Sequence, residues 1–330
     1  MGFGCAGCLL SLVTSVMTSA SAPGKIILFG EHAVVYGRPA LAMPVTQVHA
    51  DVDVSDSSRA GIWIDAPSVN LRAELNSLPS DHPLASVIIP LWLSSHVHRT
   101  WGETEGGLDI KITSTIPVAS GLGSGAAVSV ALIRALAAHL HRAMSDEQVN
   151  AFAYEIEKIH HGTPSGIDNT VITYAKPVYF VKGQPIETFV VGSPFTIVIG
   201  DTGISAQTKE SVGDVRKLWE SDKTKWEKVF DEIGDVAKQA RDFIETGKIK
   251  ELGGLMNQNH ALLQELTVSS PELDNLVSTA REAGAFGAKM SGGGRGGNMI
   301  ALVAPDVAET VSRSLREAGA KNTIITTIHP

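Results

Sequence analysis

The sequence predicts an α+β protein with two packed lobes, and three observations support this. The chain has 330 residues, which exceeds the roughly 250–300 residues at which one hydrophobic core stops growing. Segments with strand alternation and segments with helical periodicity both occur along it. Two glycine clusters, at 120–126 (the first glycine loop) and 292–297 (the second glycine loop), each lie next to such segments.

Composition indicates a globular protein and argues against one class of partner. Apolar residues make up 43% of the chain and charged residues 19%, as in ordinary folded domains. The net charge is −8, whereas a nucleic-acid partner held by phosphate attraction requires clustered Lys and Arg. We therefore expect no nucleic-acid partner. A bound phosphate would have to be held locally, by backbone N–H groups, a helix N-terminus or a metal ion.

The amino-terminal segment has features that separate it from the rest. The two cysteines, Cys5 and Cys8, both lie there, and their absence elsewhere fits a reducing cytoplasm without a disulfide framework. The apolar run from Leu9 to Val16 has no basic region before it and is too short to span a bilayer. We expect residues 1–17 to be an extension outside the fold, a natural start at Met17, and no membrane association.

The first part of the chain mixes strand and helix patterns. Residues 25–29 and 45–54 have the pattern of strands, and residues 108–113 alternate in the same way. Residues 84–98 are apolar enough for a helix, which Pro90 interrupts. The segment that follows the first glycine loop is strongly apolar, so it predicts a helix buried on most sides.

A capping box predicts where the next helix begins. Ser145 and Gln148 have the spacing at which two side chains satisfy each other's backbone N–H groups. Apolar residues then recur at helical spacing, at Val149, Phe152, Ile156 and Ile159. Pro164 cannot continue the helix, which should end at Gly162-Thr163.

The remainder of the chain predicts further strands and helices. Residues 171–182 and 195–200 resemble strands. The charged stretch 208–265 predicts long helices with a solvated face, since apolar residues recur in it at helical intervals. A helix, a strand, a helix and a strand should follow, at 271–283, 298–304, 305–318 and 321–328.

The segment PVASGLGSGAA, residues 117–127, has the character of an anion-binding loop. Its glycines allow close approach of the backbone, and the helix that follows offers free N–H groups and a positive dipole end. It lacks the Gly-Lys-Ser/Thr of a Walker A loop. A Rossmann loop is an alternative, but the acidic residue required about 20 positions on is represented only by Asp146, at a helix start. A purely structural turn is the other alternative.

The segment EKIHHGTPSGIDN, residues 157–169, carries candidate ligands and a candidate base. Glu157, His160 and His161 have spacings that could place them on one helix face, so a zinc or di-iron site is an alternative there, although no matching partner motif occurs. Asp168 follows a Pro-Ser-Gly turn that can fix a carboxylate for accepting a hydroxyl proton. Stabilising the turn is its alternative role.

Lys25, immediately before an apolar strand, completes a set that favours phosphoryl transfer. This chemistry needs positioning and charge neutralisation more than covalent work. Positioning and charge neutralisation would be supplied by a glycine loop, a helix carboxylate, a turn-held aspartate and a lysine at a strand.

Four ordered segments resemble the motifs of the GHMP kinases: PGKIILFGEHAVVYG, PVASGLGSGAA, HGTPSGIDN and KMSGGGRGGNM. Their order and spacing hold from about residue 20 to residue 303. The resemblance implies an α+β fold of two lobes, the first similar to ribosomal protein S5 domain 2 and the second ferredoxin-like, with the active site between them. It also implies an N-terminal, ATP-binding domain at 18–185 and a C-terminal domain at 186–330.

The resemblance assigns roles residue by residue. It implies that Asp168 is the catalytic base and that Lys25 is its cationic partner. It implies that Glu31, His32 and Thr202 contact the substrate together with Lys25 and Asp168, and that Glu157 binds Mg²⁺. It implies contacts with ATP for two sets of residues. In the PVASGLGSGAA segment these are Pro117, Ser120, Gly121, Leu122, Gly123, Ser124, Gly125 and Ala126, and in the second glycine loop they are Gly292, Gly293 and Gly294.

Two departures from the family's pattern affect these assignments. The family usually has Gly-Leu-Gly-Ser-Ser-Ala, whose second serine is a Mg²⁺ ligand, whereas Gly125 stands there in this chain. Ser124 or a water molecule is expected to replace it. The second glycine loop usually reads Gly-Ala-Gly-x-Gly-Gly, whereas here Gly293 replaces the alanine and Arg295 stands among the glycines. Arg295 could contact a phosphate or face solvent.

The reaction implied by the first motif is ATP- and Mg²⁺-dependent phosphorylation of (R)-mevalonate at its C5 hydroxyl, an early step toward isoprenoids. A different small-molecule kinase of the family, acting on phosphomevalonate or a sugar, is one alternative. A nucleotide-binding sensor without activity and an NAD-binding protein are two others. The resemblance is compatible with a homodimer, and the sequence leaves the oligomeric state open.

Overall fold

The computed structural model describes residues 17–94, 107–117, 120–161, 164–185, 187–206 and 208–330. Two β-sheets, one in each half of the chain, pack against helices. This arrangement confirms the predicted α+β architecture with two lobes. Residues 1–16, the two cysteines among them, lie outside the described residues, and so do the side chains of His160 and His161.

The first lobe is built on the larger sheet. Its elements are β1 (Thr18–Phe29), β2 (Ala40–Ser57), β3 (Gly61–Ala66), β4 (Leu71–Glu74), α1 (Pro83–Leu93), β5 (Gly107–Ser114), α2 (Ser124–His139), α3 (Asp146–His161), α4 (Ile167–Tyr174), β6 (Val178–Phe180) and β7 (Glu187–Thr188). The strand order is β4-β3-β5-β2-β6-β7, and β1 pairs antiparallel with β2. Helix α2 packs on β1 and β2, and its apolar residues are almost all buried, as predicted.

The second lobe contains a smaller, antiparallel sheet. Its elements are β8 (Phe195–Asp201), α5 (Thr208–Ser221), α6 (Lys223–Glu245), α7 (Glu251–Glu265), α8 (Pro271–Glu282), β9 (Gly287–Ser291), β10 (Asn298–Val303), α9 (Ala308–Glu317) and β11 (Asn322–Ile328). The strand order is β11-β8-β10-β9. A βαββαβ chain with this order is ferredoxin-like, with additional helices in the first crossover.

Several sequence predictions hold in detail. The capping box forms, since the Ser145 N–H donates to Gln148 Oε1 at 2.9 Å and the Gln148 N–H donates to Ser145 Oγ at 3.4 Å. The charged stretch forms α5, α6 and α7, and its periodic apolar residues Val215 and Trp226 are buried. The boundary at residue 185 stays a prediction, and the first sheet extends to Thr188.

Other predictions are wrong. Residues 171–174 lie in α4, so the predicted strand 171–182 shrinks to β6. Ile159 was predicted to be on the core stripe of α3, but it is 57% exposed. Strands β3, β4, β7 and β9 were not predicted. Helix α1 continues through Pro90 and ends at Leu93, whereas residues 95–98 of the predicted helix lie outside the described residues.

Candidate active site

Lys25 lies in β1, where two other motifs approach it. Its backbone N–H donates to the Leu122 carbonyl of the first glycine loop at 3.0 Å. Gly123 has a φ of +75°, and a Cβ there would lie 2.9 Å from Lys25 Cγ and 2.8 Å from Ile172 Cδ1 of α4. Only glycine fits this position without strain. The close contact brings strand, glycine loop and helix α4 together around one ammonium.

Asp168 pairs with Lys25 across 143 positions of sequence. Lys25 Nζ lies 2.9 Å from Asp168 Oδ1, and the lysine side chain is 6% exposed whereas that of the aspartate is 36% exposed. Asp168 occupies the first turn of α4 after Gly166, whose φ is +89°, and a carboxylate is stabilised at that end of a helix. The pair therefore presents a fixed carboxylate whose ammonium partner is shielded from water.

Two buried polar contacts fix α4, and sequence reasoning missed them. Asn169 Nδ2 donates to Asn150 Oδ1 of α3 at 2.6 Å. Thr170 Oγ1 donates to the Gly166 carbonyl at 2.6 Å. Asn169 and Thr170 directly follow Asp168, so these bonds set the position of the carboxylate. Nothing in the sequence indicated them, because its pattern predicts a strand at 171–182 and no helix in this segment.

The first glycine loop ends at an open helix terminus. Ser120 Oγ donates to the Pro117 carbonyl at 2.8 Å, which closes the turn. Leu122 and Ala126 are buried and anchor the loop, whereas Gly121 and Gly125 are exposed. Helix α2 begins at Ser124, and its N-cap Gly123 provides no side-chain hydrogen bond. Its first N–H groups are thus available for an anion.

The second glycine loop meets the first lobe at three places. Ser291 Oγ, just before the loop, donates to the Ile27 carbonyl of β1 at 2.7 Å. His32 Nε2 is 3.1 Å from the Gly293 carbonyl. Asn298 Nδ2, just after the loop, donates to the Ser120 carbonyl of the first glycine loop. The second glycine loop therefore contacts both the first glycine loop and the end of β1.

His32 is neutral in this setting. Burial lowers its pKa from 6.5 to about 4, against the raising effect of its hydrogen bond to Gly293. A neutral ring that binds a carbonyl through Nε2 carries its proton there and leaves Nδ1 as an acceptor. Nδ1 is buried and has no hydrogen-bond partner among the described residues.

Glu31 forms a buried ion pair that the sequence did not reveal. Its Oε1 binds Lys289 Nζ of β9, and both side chains are almost completely buried. Lys289 Nζ also donates to the Met290 carbonyl at 2.6 Å. Burial lowers the pKa of the Lys289 ammonium, and the charge of Glu31 opposes this shift. Nothing in the glycine-rich KMSGGG segment indicated that its lysine would pair with Glu31.

Thr202 and Arg295 are both engaged within the second lobe. Thr202 Oγ1 donates to the Gly297 carbonyl at 2.9 Å and accepts from the Ile204 N–H at 3.2 Å. A substrate contact by Thr202 stays a prediction. Arg295 Nη1 donates to Asp214 Oδ2 at 2.6 Å, and the two alternatives given for it, phosphate contact or a solvent-facing side chain, stay predictions.

Glu157 and Ser124 have the donor chemistry that Mg²⁺ requires. Glu157 is a half-buried carboxylate of α3, and Ser124 is a half-buried hydroxyl at the start of α2. Mg²⁺ uses hard oxygen ligands and ordinarily takes one or two protein carboxylates together with water and substrate phosphates. Within the described residues, no group of three or more His, Cys, Asp or Glu could hold a metal. A Mg²⁺ ion here would depend on nucleotide oxygens.

The described residues include no helix that is long and apolar enough to cross a bilayer.

Comparisons with known proteins agree with this geometry. Models of the GHMP kinases N-terminal domain and of the GHMP kinases C-terminal domain match residues 90–176 and 240–321. A mevalonate kinase of Thermococcus sibiricus is 37% identical over 314 residues, which covers 91% of this chain and 93% of the relative. A mevalonate kinase of Pyrococcus horikoshii is 36% identical over 318 residues, with 91% and 92% covered.

The solved structure of L. major mevalonate kinase in complex with R-mevalonate superposes with a TM-score of 0.83 at 28% identity, and covers 97% of this chain and 98% of that one. Because curated relatives exceed one third identity over nearly the whole length, the chain belongs to the GHMP kinase family.

Proposed function

We propose that the chain is a mevalonate kinase, which transfers the γ-phosphoryl group of ATP to the C5 hydroxyl of (R)-mevalonate and yields 5-phosphomevalonate and ADP. The observation that carries the proposal is the Lys25–Asp168 pair, at 2.9 Å, beside the first glycine loop. The relatives with 36–37% identity are mevalonate kinases, which favours mevalonate over the substrates of other family members.

Asp168 accepts or orients the proton of the attacking hydroxyl in this mechanism. One carboxylate oxygen is held by Lys25, and the side chain is partly exposed toward a ligand. A base at hydrogen-bonding distance from the hydroxyl contributes roughly 10²–10⁴ in rate. Lys25 holds the carboxylate in position and stabilises the negative charge of the transferred group.

The two glycine loops hold the nucleotide. The open N-terminus of α2 binds phosphate oxygens through backbone N–H groups, and the second glycine loop closes the cleft from the other lobe. Glu157 and Ser124 would hold Mg²⁺. When bound, that ion neutralises phosphate charge.

Glu31 and His32 are proposed to face the substrate at the end of β1. Both are buried, and each has an acceptor atom, Glu31 Oε2 and His32 Nδ1, without a hydrogen-bond partner among the described residues. A hydroxyl of the substrate is a suitable donor for such atoms. A cytoplasmic location and a homodimer stay predictions.

The test combines one variant with a substrate panel. Asp168→Asn should retain ATP binding and lose turnover by roughly 10²-fold or more, because the amide cannot accept the proton. ADP release is measured with mevalonate, phosphomevalonate, mevalonate diphosphate, galactose and homoserine. Asp235→Asn, which changes an exposed carboxylate of α6, is the matched control and should behave as the parent chain.

Two outcomes would contradict the proposal. Unchanged turnover in Asp168→Asn would remove this residue from the role of base. Turnover with galactose or phosphomevalonate in preference to mevalonate would assign the chain to another branch of the family. The fold does not make this choice, since a Streptococcus pneumoniae phosphomevalonate kinase has a TM-score of 0.78 at only 16% identity.

A further inference from the structure

Arg295 is the one residue with a long side chain inside the second glycine loop, and its backbone is strained. Its φ is +56°, a left-handed conformation that non-glycine residues rarely adopt. Thr267, at the end of α7, has a φ of +59°. Such residues persist where the surrounding structure holds them, and they are concentrated at functional sites.

Three contacts hold Arg295 in this conformation. Its backbone N–H donates to the Val268 carbonyl at 2.9 Å. Its guanidinium pairs with Asp214 of α5 at 2.6 Å and lies 3.4 Å from the Thr267 carbonyl. Arg295 therefore ties the loop to α5 and to the end of α7.

Two other glycines of the loop, Gly294 and Gly296, are closely packed against their surroundings. A Cβ on Gly294 would overlap the Val268 carbonyl oxygen, and a Cβ on Gly296 would lie 2.7 Å from the Ile204 carbonyl oxygen. The far end of the loop leads into Asn298, which binds the Ser120 carbonyl of the first glycine loop. Through Asn298, the second glycine loop is thus in direct contact with the first.

We propose that Arg295 is a positioning residue for the nucleotide: through its ion pair with Asp214 it fixes the second glycine loop against the first, without contacting ATP itself. This inference rests on the proposed function, because it requires that the first glycine loop binds ATP. It also assigns a role to α5, whose Asp214 becomes part of the support of the nucleotide site.

The experiment is a double-mutant cycle in the full-length protein. Arg295→Ala, Asp214→Ala and the double variant are compared by calorimetric titration with the ATP analogue AMPPNP and Mg²⁺. Alanine at 295 keeps a Cβ, so backbone strain remains, while the side chain's contacts with Asp214 and with the Thr267 carbonyl are lost. We expect each single variant to weaken binding about two- to fivefold, in line with a partly exposed pair. The double variant should be no weaker than the singles.

Two further measurements separate positioning from folding and from direct contact. Lys217→Ala removes the other cation bound to Asp214, 2.9 Å away on the same helix, and as the matched control it should leave binding unchanged. The kcat at saturating ATP should stay within twofold in every variant, while KM for ATP rises. A structural role alone would lower the melting temperature without changing affinity.

The outcomes distinguish this inference from the proposed function. Weaker binding in Arg295→Ala with unchanged binding in Asp214→Ala would show direct phosphate contact and overturn the inference. Unchanged binding in both would overturn it as well. If the parent chain bound no AMPPNP, the proposed function itself would fail.

Discussion

The two glycine loops have similar compositions but differ in how many of their glycines are closely packed. In the first, Gly125 would have nothing within 4 Å of an added Cβ, and the nearest atom to one on Gly121 is 3.7 Å away. In the second, added Cβ atoms on Gly293, Gly294 and Gly296 would each overlap neighbouring atoms of the same lobe. Most glycines of the first loop, though not Gly123, leave open space, whereas most glycines of the second, though not Gly292, permit close packing of the backbone. A glycine-rich sequence alone therefore does not identify a ligand contact.

The largest change in the free energy of unfolding should come from a substitution in the second glycine loop. Gly294→Ala adds a Cβ against the Val268 carbonyl at a φ of +79°. Backbone strain and overpacking together should lower the free energy of unfolding by about 4 kcal/mol, as measured by urea denaturation followed by circular dichroism. A variant as stable as the parent chain would show that this loop is not tightly packed, and the contrast would be lost.

Acid should weaken the same region. His32 binds Gly293 of the loop, and His260 accepts a hydrogen bond from the Met290 N–H just before it. Burial lowers both pKa values to about 4, whereas an unfolded histidine titrates near 6.5. Because the unfolded chain binds more protons between these values, the stabilisation is complete above about pH 6.5 and is lost as the pH falls toward 4.

When the pH is lowered from 7 to 5.5, each of these two histidines should lower the free energy of unfolding by roughly 1–1.5 kcal/mol. Urea titrations at both values measure the sum. His260→Gln should show a weaker pH dependence than the parent chain. Equal unfolding free energies at pH 7 and pH 5.5 in the parent would be incompatible with neutral, buried histidines.

The smallest change in the free energy of unfolding should come from a substitution in the first glycine loop. Gly125→Ala places a methyl group in open space in the first turn of α2, so stability should stay the same or rise by up to about 1 kcal/mol. Urea denaturation checks this, and the Gly294→Ala variant is its matched opposite. A loss of more than about 1 kcal/mol would show that this loop is packed after all.

Local signals in the sequence were sufficient for much of the fold. The capping box at Ser145, the buried helix after the first glycine loop and the amphipathic helices of 208–265 all formed as predicted. These features depend on residues that are close in sequence, and so does the glycine motif that indicated phosphate binding. The pairing of Lys25 with Asp168 was expected from the resemblance, and the structure brings them together.

The failed predictions occur where packing overrides local preference. The segment 170–173, Thr-Val-Ile-Thr, has the composition of a strand, yet it forms α4 because its apolar side chains are buried against α2 and β1. Strand β9 was missed because Gly287–Ser291 is poor in strand-forming residues, although every one of its residues is buried.

The sequence by itself determined the family motifs, the order of most helices and strands, and the residue types that phosphoryl transfer requires. Apart from the Lys25–Asp168 pair, only the tertiary structure decided which charges meet. Lys289 pairs with Glu31 across 258 positions, and Arg295 pairs with Asp214 across 81. A side chain's charge sets what it can bind, but the partner depends on which segments the fold brings within a few ångströms. That proximity is a property of the packed chain and is not encoded in any local pattern.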